Sequence, residues 1–228
     1  MSEPVTCDFT LGRLQYFIQY PRDFRENEKY PVILFLHGAG SRGDDLNVVK
    51  NNPYFVCTKE HEQFPFITVA PQCREDYTWY DFLDKLKELV YMAEKLPYAD
   101  PSRIYLMGNS MGGYGTWQLA MSIPEHLAAI VPICGGGMYW NCGRLVNVPV
   151  WAFHGGKDTV VLPEESKKMV DSVNRRGGNA KLTIYPENTH DAWTDTYRNP
   201  AVFEWLLSYR NQNSTIQSDG FDNAEKYG

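Results

Sequence analysis

The sequence predicts one α/β domain: a mainly parallel, twisted sheet with helices on both faces and no large lid. Three observations carry this. Short runs that stay apolar throughout alternate with amphipathic stretches. A strand buried on both faces reads that way, whereas a half-solvated strand alternates. The alternation repeats as a βαβ rhythm, which places the strands parallel and the helices outside them. A chain of 228 residues is also long enough to bury most of its apolar surface without disulfides or metals.

The elements follow in order. Residues 13–20 (RLQYFIQY) are β-rich and end at Pro21. Continuous apolar runs occupy 32–36, 66–70, 103–107, 129–133, 148–153 and 181–185. The first stops at His37-Gly38 and the second at Pro71. Residues 82–96 place Phe82, Leu86, Leu89, Val90 and Ala93 on one helical stripe. Residues 164–176 follow Pro163, which suits a first helical turn, and end at Gly177-Gly178. Residues 200–210 close the domain with Val202, Phe203, Trp205, Leu206 and Leu207. One domain is therefore expected over residues 1–210, followed by a flexible polar tail at 211–228.

Composition removes several classes. Lys and Arg total 22 against 28 Asp and Glu, a formal charge of −6. That balance lacks the basic footprint of a nucleic-acid binder. No apolar run approaches a membrane span. The first residues have neither a basic nor an apolar leader region, so a cytoplasmic location is expected, with secretion after removal of a signal left open. The five cysteines are scattered and form no CxxC pair, so they read as free thiols. Cys134–Cys142 is the one pairing weighed against that reading.

The most informative residues are Gly108-Asn109-Ser110-Met111-Gly112-Gly113. They fit G-x-S-x-G and lie between the run 103–107 and a helical stretch at 114–121. A strand that turns sharply into a helix forces the residue at the turn into a strained conformation, and its flanking positions must be small. The Ser110 hydroxyl is then thrust out at the carboxyl edge of the sheet, beside the free N–H groups of the helix start. A serine needs a base, and the base an orienting acid, expected in the chain order Ser, acid, His. His190 follows the last strand and is assigned as base; Asp158 follows the penultimate one and is assigned as its orienter. Asp191 and Asp195 are the rival acids, and His126 reads as a surface residue. The oxyanion donors are expected to be the backbone N–H of Met111 and that of Ala39, with Gly40 as the fallback.

Gly38-Ala39-Gly40-Ser41-Arg42-Gly43 also matches a dinucleotide-binding glycine pattern. The following segment is broken by Pro53, and the second apolar run ends without the acid that would hold a ribose. No cofactor and no metal are expected.

The segments LFLHGAGSRGDD, APQC followed by Trp79, GNSMGG, HGGKDTVV and the late His190 resemble small single-domain serine carboxylesterases of the α/β-hydrolase superfamily. The resemblance spans about residues 31–207. It lies near the dienelactone-hydrolase, phospholipase/carboxylesterase and feruloyl-esterase or polyhydroxybutyrate-depolymerase branches. Dienelactone hydrolases proper carry a cysteine where this chain has Ser110. The resemblance implies cofactor-independent hydrolysis of soluble esters through an acyl-enzyme. Short-chain acyl, aryl and carbohydrate-linked acetyl or feruloyl esters are the expected substrates. Thioesterase and peptidase chemistry use the same triad, and a non-catalytic hydrolase-fold binding protein would show a broken one. About a dozen residues separate Cys134 from Val148, too few for a folded cap, so an open groove is expected. Its rim is assigned to Trp79, Trp193, Asn109, Tyr139 and Trp140.

Overall fold

The computed structural model describes residues 5–212. Eight strands form one sheet: β1 (Thr6–Leu11), β2 (Leu14–Gln19), β3 (Tyr30–Leu36), β4 (Ile67–Gln72), β5 (Ala99–Asn109), β6 (Ala129–Ile133), β7 (Val150–Gly155) and β8 (Ala180–Tyr185). Their spatial order is β1-β2-β4-β3-β5-β6-β7-β8. The β1–β2 and β2–β4 pairs are antiparallel; every other pair is parallel. The helices are α1 (Leu46–Lys50), α2 (Pro53–Thr58), α3 (Leu83–Glu94), α4 (Met111–Ser122), α5 (Pro163–Arg175), α6 (Trp193–Arg198) and α7 (Pro200–Leu207).

The apolar runs produce two cores because side chains alternate across a strand. In β3, Val32, Leu34 and Leu36 face a core closed by α3, α4 and α5, with Leu86, Leu89, Trp117, Met169 and Val173. Ile33 and Phe35 face the opposite core, closed by α2, α6 and α7 through Tyr54, Phe55, Tyr197, Val202 and Phe203. Both sheet faces are thus covered, as the sequence predicts.

Some elements depart from expectation. β1 escapes the apolar criterion because it is a largely exposed edge strand, held by its register on β2. β4 runs through Pro71 instead of stopping there. The parallel pairing with β3 ends at Val69, so no ladder bond is demanded from Pro71 on that side. The 44–58 segment is broken at Pro53 as expected: the Asp45-capped α1 ends at Lys50, and Pro53 starts a separate helix, α2, with Asn52 as its N-cap. Among the described residues, the connection from β6 to β7 carries only a 3-10 helix, Tyr139–Leu145. All five cysteines are free, Cys134 and Cys142 included. Among the described residues, no helix is long and apolar enough to cross a membrane. The expected tail lies outside the described residues from position 213 onward.

Candidate active site

The site forms at the carboxyl edge of the sheet, where strand register sets its parts side by side. Leu36 pairs with Gly108 and Asn109 with Ile133, so His37, Ser110 and Cys134 leave adjacent strands at one level. Ser110 is the N-cap of α4 and has φ 54° and ψ −119°, a left-handed-side conformation that a non-glycine residue rarely adopts. Its own N–H, donating to Ile133 O at 2.8 Å, and its carbonyl, accepting from Tyr114 N at 3.1 Å, hold it there. The flanking glycines are required by contact. A Cβ at Gly108 would stand 2.5 Å from Gly112 O, and one at Gly112 would stand 1.8 Å from Leu36 O.

His190 reaches this hydroxyl from the loop after β8. Its Nε2 lies 2.8 Å from Ser110 Oγ, and its Nδ1 lies 2.7 Å from Asp158 Oδ2. The acid and base loops are joined by backbone hydrogen bonds: Gly156 N to Tyr185 O and Lys157 N to Asn188 O. Gly155 permits this approach, since a Cβ there would fall 1.9 Å from Thr189 O. Asp158 is buried, and its Oδ1 accepts the N–H groups of Val160 and Val161. Burial pushes the Asp158 carboxyl up, but the hydrogen bonds from His190, Val161 and Val160 outweigh it and hold the group below the usual carboxylate range. It is therefore ionised at neutral pH. The rival acids are occupied elsewhere: Asp191 binds the Thr194 N–H and hydroxyl, and Asp195 accepts from Asn188. His126 lies on a separate 3-10 turn against Glu94.

The loop after β3 lies against the nucleophile: a Cβ at Gly38 would stand 3.5 Å from Ser110 Cβ. Ala39–Ser41 is a 3-10 turn, so the dinucleotide-like glycine pattern does not open an α-helix; α1 starts only at Leu46. Ala39 and Gly40 are exposed, and Met111 is the first residue of α4, so its N–H has no acceptor within the helix.

The expected groove residues divide. Trp193 opens α6, and its ring stands edge-on to His190 with centroids 5.1 Å apart. Trp79 does not line the groove. It is 1 % exposed, and its Nε1–H donates to His37 O at 2.9 Å from beneath. The turn before α3 tucks its largest apolar side chain under the β3 end, against Gly115 of α4. Asn109 is also buried, and its Oδ1 accepts from Tyr197 of α6, tying that helix to the nucleophile turn. Tyr139 and Trp140 are exposed, but they pack on the far half of α5: Tyr139 O accepts from Ser172, and Trp140 O accepts from Arg176. At about 1.5 Å per residue, Ser172 lies roughly 14 Å along the helix from its start beside the site. The chain after β6 turns down the sheet face instead of rimming the cleft.

Two buried histidines have no site role in the sequence reading, although each lies at the end of a strand immediately before a glycine. One is His154, below Asp158. The other is His37, whose Nδ1 donates to Gly38 O at 2.6 Å while its Nε2 accepts from Cys73 N at 3.0 Å. These two contacts fix the neutral tautomer and brace the loop beside Ser110. Burial lowers the His37 pKa from 6.5 to about 4. The unfolded chain then takes up this proton first as pH falls, so stability present above 6.5 is lost progressively down to about 4. The loss amounts to about 3 kcal/mol. Urea unfolding at pH 7 and pH 4.5 should show the decline, and His37→Gln should flatten it.

A nucleophile turn, a hydroxyl–imidazole–carboxylate array and this strand order define an α/β-hydrolase. The chain belongs to the dienelactone hydrolase family, whose model matches residues 68–214. It is similar to a structure titled as a thermostable esterase: 32 % identity and a TM-score of 0.78, over 91 % of this chain and 63 % of that one. Est1E from Butyrivibrio proteoclasticus shares the fold at 18 % identity and a TM-score of 0.68, over 89 % of this chain and 98 % of that one. Dipeptidyl-peptidase 5 of Porphyromonas gingivalis is 23 % identical over 84 % of this chain and 34 % of its own length. The chain thus spans about a third of that curated relative. The family and the fold make it a hydrolase.

Proposed function

We propose that the protein is a serine carboxylesterase that hydrolyses soluble carboxylic esters, with Ser110 as nucleophile, His190 as base and Asp158 as its orienting acid. The observation that carries this reading is the continuous hydrogen-bond path from Ser110 Oγ through His190 to Asp158, at 2.8 and 2.7 Å. Ser110 Oγ attacks the ester carbonyl carbon while His190 Nε2 takes its proton. Asp158 holds the imidazole with its proton on Nδ1 and stabilises the imidazolium. The N–H groups of Met111 and Ala39 receive the oxyanion, with Gly40 as the alternative donor. Collapse expels the alcohol, protonated by His190. Water then attacks the acyl-enzyme by the same route, releasing the acid and restoring the serine.

Two features favour small or projecting esters. The connection from β6 lays no cap over Ser110, and the loop that holds Asp158 exposes Val160 and Leu162 as apolar rim. The similarity to the thermostable esterase supports the ester over the amide. The five free thiols support a reducing, cytoplasmic location. A peptidase reading is the second one, carried by the resemblance to dipeptidyl-peptidase 5.

A panel of p-nitrophenyl acetate, butyrate and longer acyl esters, aryl esters including feruloyl, acyl thioesters and aminoacyl p-nitroanilides separates these readings. The expected result is a kcat/KM for one ester class at least about 100-fold above any anilide or thioester, a difference of about 2.7 kcal/mol in barrier. Higher turnover of the anilides would replace the esterase reading. Trp193 is proposed to border the acyl group. Trp193→Ala should lower kcat/KM for aryl esters several-fold more than for acetate; equal effects on both would remove it from the pocket.

A further inference from the structure

Below the triad lies an imidazole that the proposed chemistry does not use. His154 sits in β7, four residues before Asp158, and is fully buried. Its Nε2 lies 2.8 Å from Val161 O and 3.2 Å from Asp158 Oδ2. A carbonyl oxygen only accepts, so Nε2 carries the proton. Burial holds the ring below the ordinary histidine range, so it is neutral at neutral pH and Nδ1 is left to accept from the Ser166 hydroxyl at 2.7 Å. Ser166 Oγ also stands 2.9 Å from Gly135 O, so its one proton is shared between the imidazole and this carbonyl.

Asp158 consequently accepts three hydrogen bonds, from Val160 and Val161 at Oδ1 and from His190 at Oδ2. His154 Nε2, whose proton goes to Val161 O, stands 3.2 Å from the same Oδ2. Val161 closes a ring, since its N–H reaches Asp158 and its carbonyl receives His154.

We propose that His154 is a positioning residue for the triad: by holding Asp158 and Val161 from below, it keeps the carboxylate aligned with His190 Nδ1 and takes up part of its negative charge. This rests on the triad reading above. With the imidazole removed, the Val161 turn that donates to Asp158 loses its support, and the carboxylate is freer to rotate, less stabilised, and attracts a proton on His190 more strongly. Two consequences follow. kcat falls while KM stays, because the defect lies in proton transfer and not in substrate contact. The acid limb of kcat/KM moves to higher pH.

The other ionisable groups facing this cluster are Cys134 after β6, Tyr114 on α4, Glu164 at the start of α5, and Asp191 beyond His190. Burial pushes the Cys134 thiol up to about 12 and also raises Tyr114. Backbone and Lys167 hydrogen bonds lower Glu164. These three keep their charge across about pH 5–8, the window in which an imidazole changes its own.

The test compares wild type, His154→Phe and His154→Gln with p-nitrophenyl acetate from pH 5 to 9. His154→Phe should lower kcat about 10- to 100-fold, the size of loss typical when an outer-shell partner of a metal-ligating side chain is removed. Its KM should stay within about twofold and its acid limb should rise by about half a pH unit. His154→Gln, whose amide N–H can replace Nε2–H, should recover most of both. A folded His154→Phe with wild-type kcat, or with reduced kcat and an unmoved acid limb, overturns the proposal. If His154→Phe does not fold, histidine NMR of the wild type decides. The His154 ring should stay neutral while its signals follow the titration of His190; an independently titrating His154 overturns the proposal. Failure of a fluorophosphonate to label wild-type Ser110 is a different result, and it removes the triad reading itself.

Discussion

Ser110→Ala should lower kcat about 10⁴- to 10⁶-fold, the loss that follows removal of the attacking atom in serine hydrolases. Every other element of the site stays in place. His190 and Asp158 are held by the joined loops after β7 and β8, not by the serine. Among the described residues the one Oγ bond lost is that to His190 Nε2, and a single hydrogen bond contributes about 0.5–1.5 kcal/mol. The unfolding midpoint should therefore move by a few degrees at most. KM should change little, since Oγ forms its new bond in the transition state and not in the bound complex. Hydrolysis of p-nitrophenyl acetate and the mass shift on fluorophosphonate labelling measure the effect together. Turnover within tenfold of wild type would place the chemistry elsewhere.

Gly112→Ala should abolish the site by a different route. The added Cβ would stand 1.8 Å from Leu36 O, 2.5 Å from Leu36 C and 2.8 Å from His37 O. All three are backbone atoms at the end of a central strand, so no rotamer change relieves the clash. α4 must move off β3, carrying Ser110 away from His190 and Met111 away from the Gly38–Ala39 turn. A destabilisation of roughly 4 kcal/mol or more is expected, in the range reserved for core overpacking and strain. The matched control is Gly40→Ala on the same rim, where an added Cβ meets nothing within 4 Å. It should change stability by no more than about 0.5 kcal/mol. Urea denaturation of the two variants gives the comparison. A Gly112→Ala protein with a wild-type midpoint and full Ser110 labelling would show that the tight helix–strand contact is not required.

Both effects depend on residues whose importance is visible in the chain itself. The glycines on either side of Ser110 mark a turn that only small residues permit, and the order Ser110, Asp158, His190 places each side chain after a strand of a parallel sheet. Strands buried on both faces have a local signature, so β3 through β7 appear as apolar runs. The edge strand β1 has no such signature, because its burial pattern is mostly exposed and its partner lies on another segment. The groove was less legible. Trp79 and Asn109 lie close in sequence to the expected cleft, but each finds a buried partner, His37 O and Tyr197 respectively, that no local spacing announces. Tyr139 and Trp140 follow β6, yet the direction of that connection is set by its packing on α5.

The α/β class, the nucleophile turn and the three residues brought into line were legible in the chain alone. These are properties of periodicity, residue size and chain order, which local chemistry encodes. Packing in three dimensions was needed to show that Trp79 and Asn109 are buried braces and that His37 and His154 lie buried beside the loops around the triad. Those outcomes depend on contacts between distant segments, where desolvation and hydrogen-bond partners are fixed only once the sheet has closed.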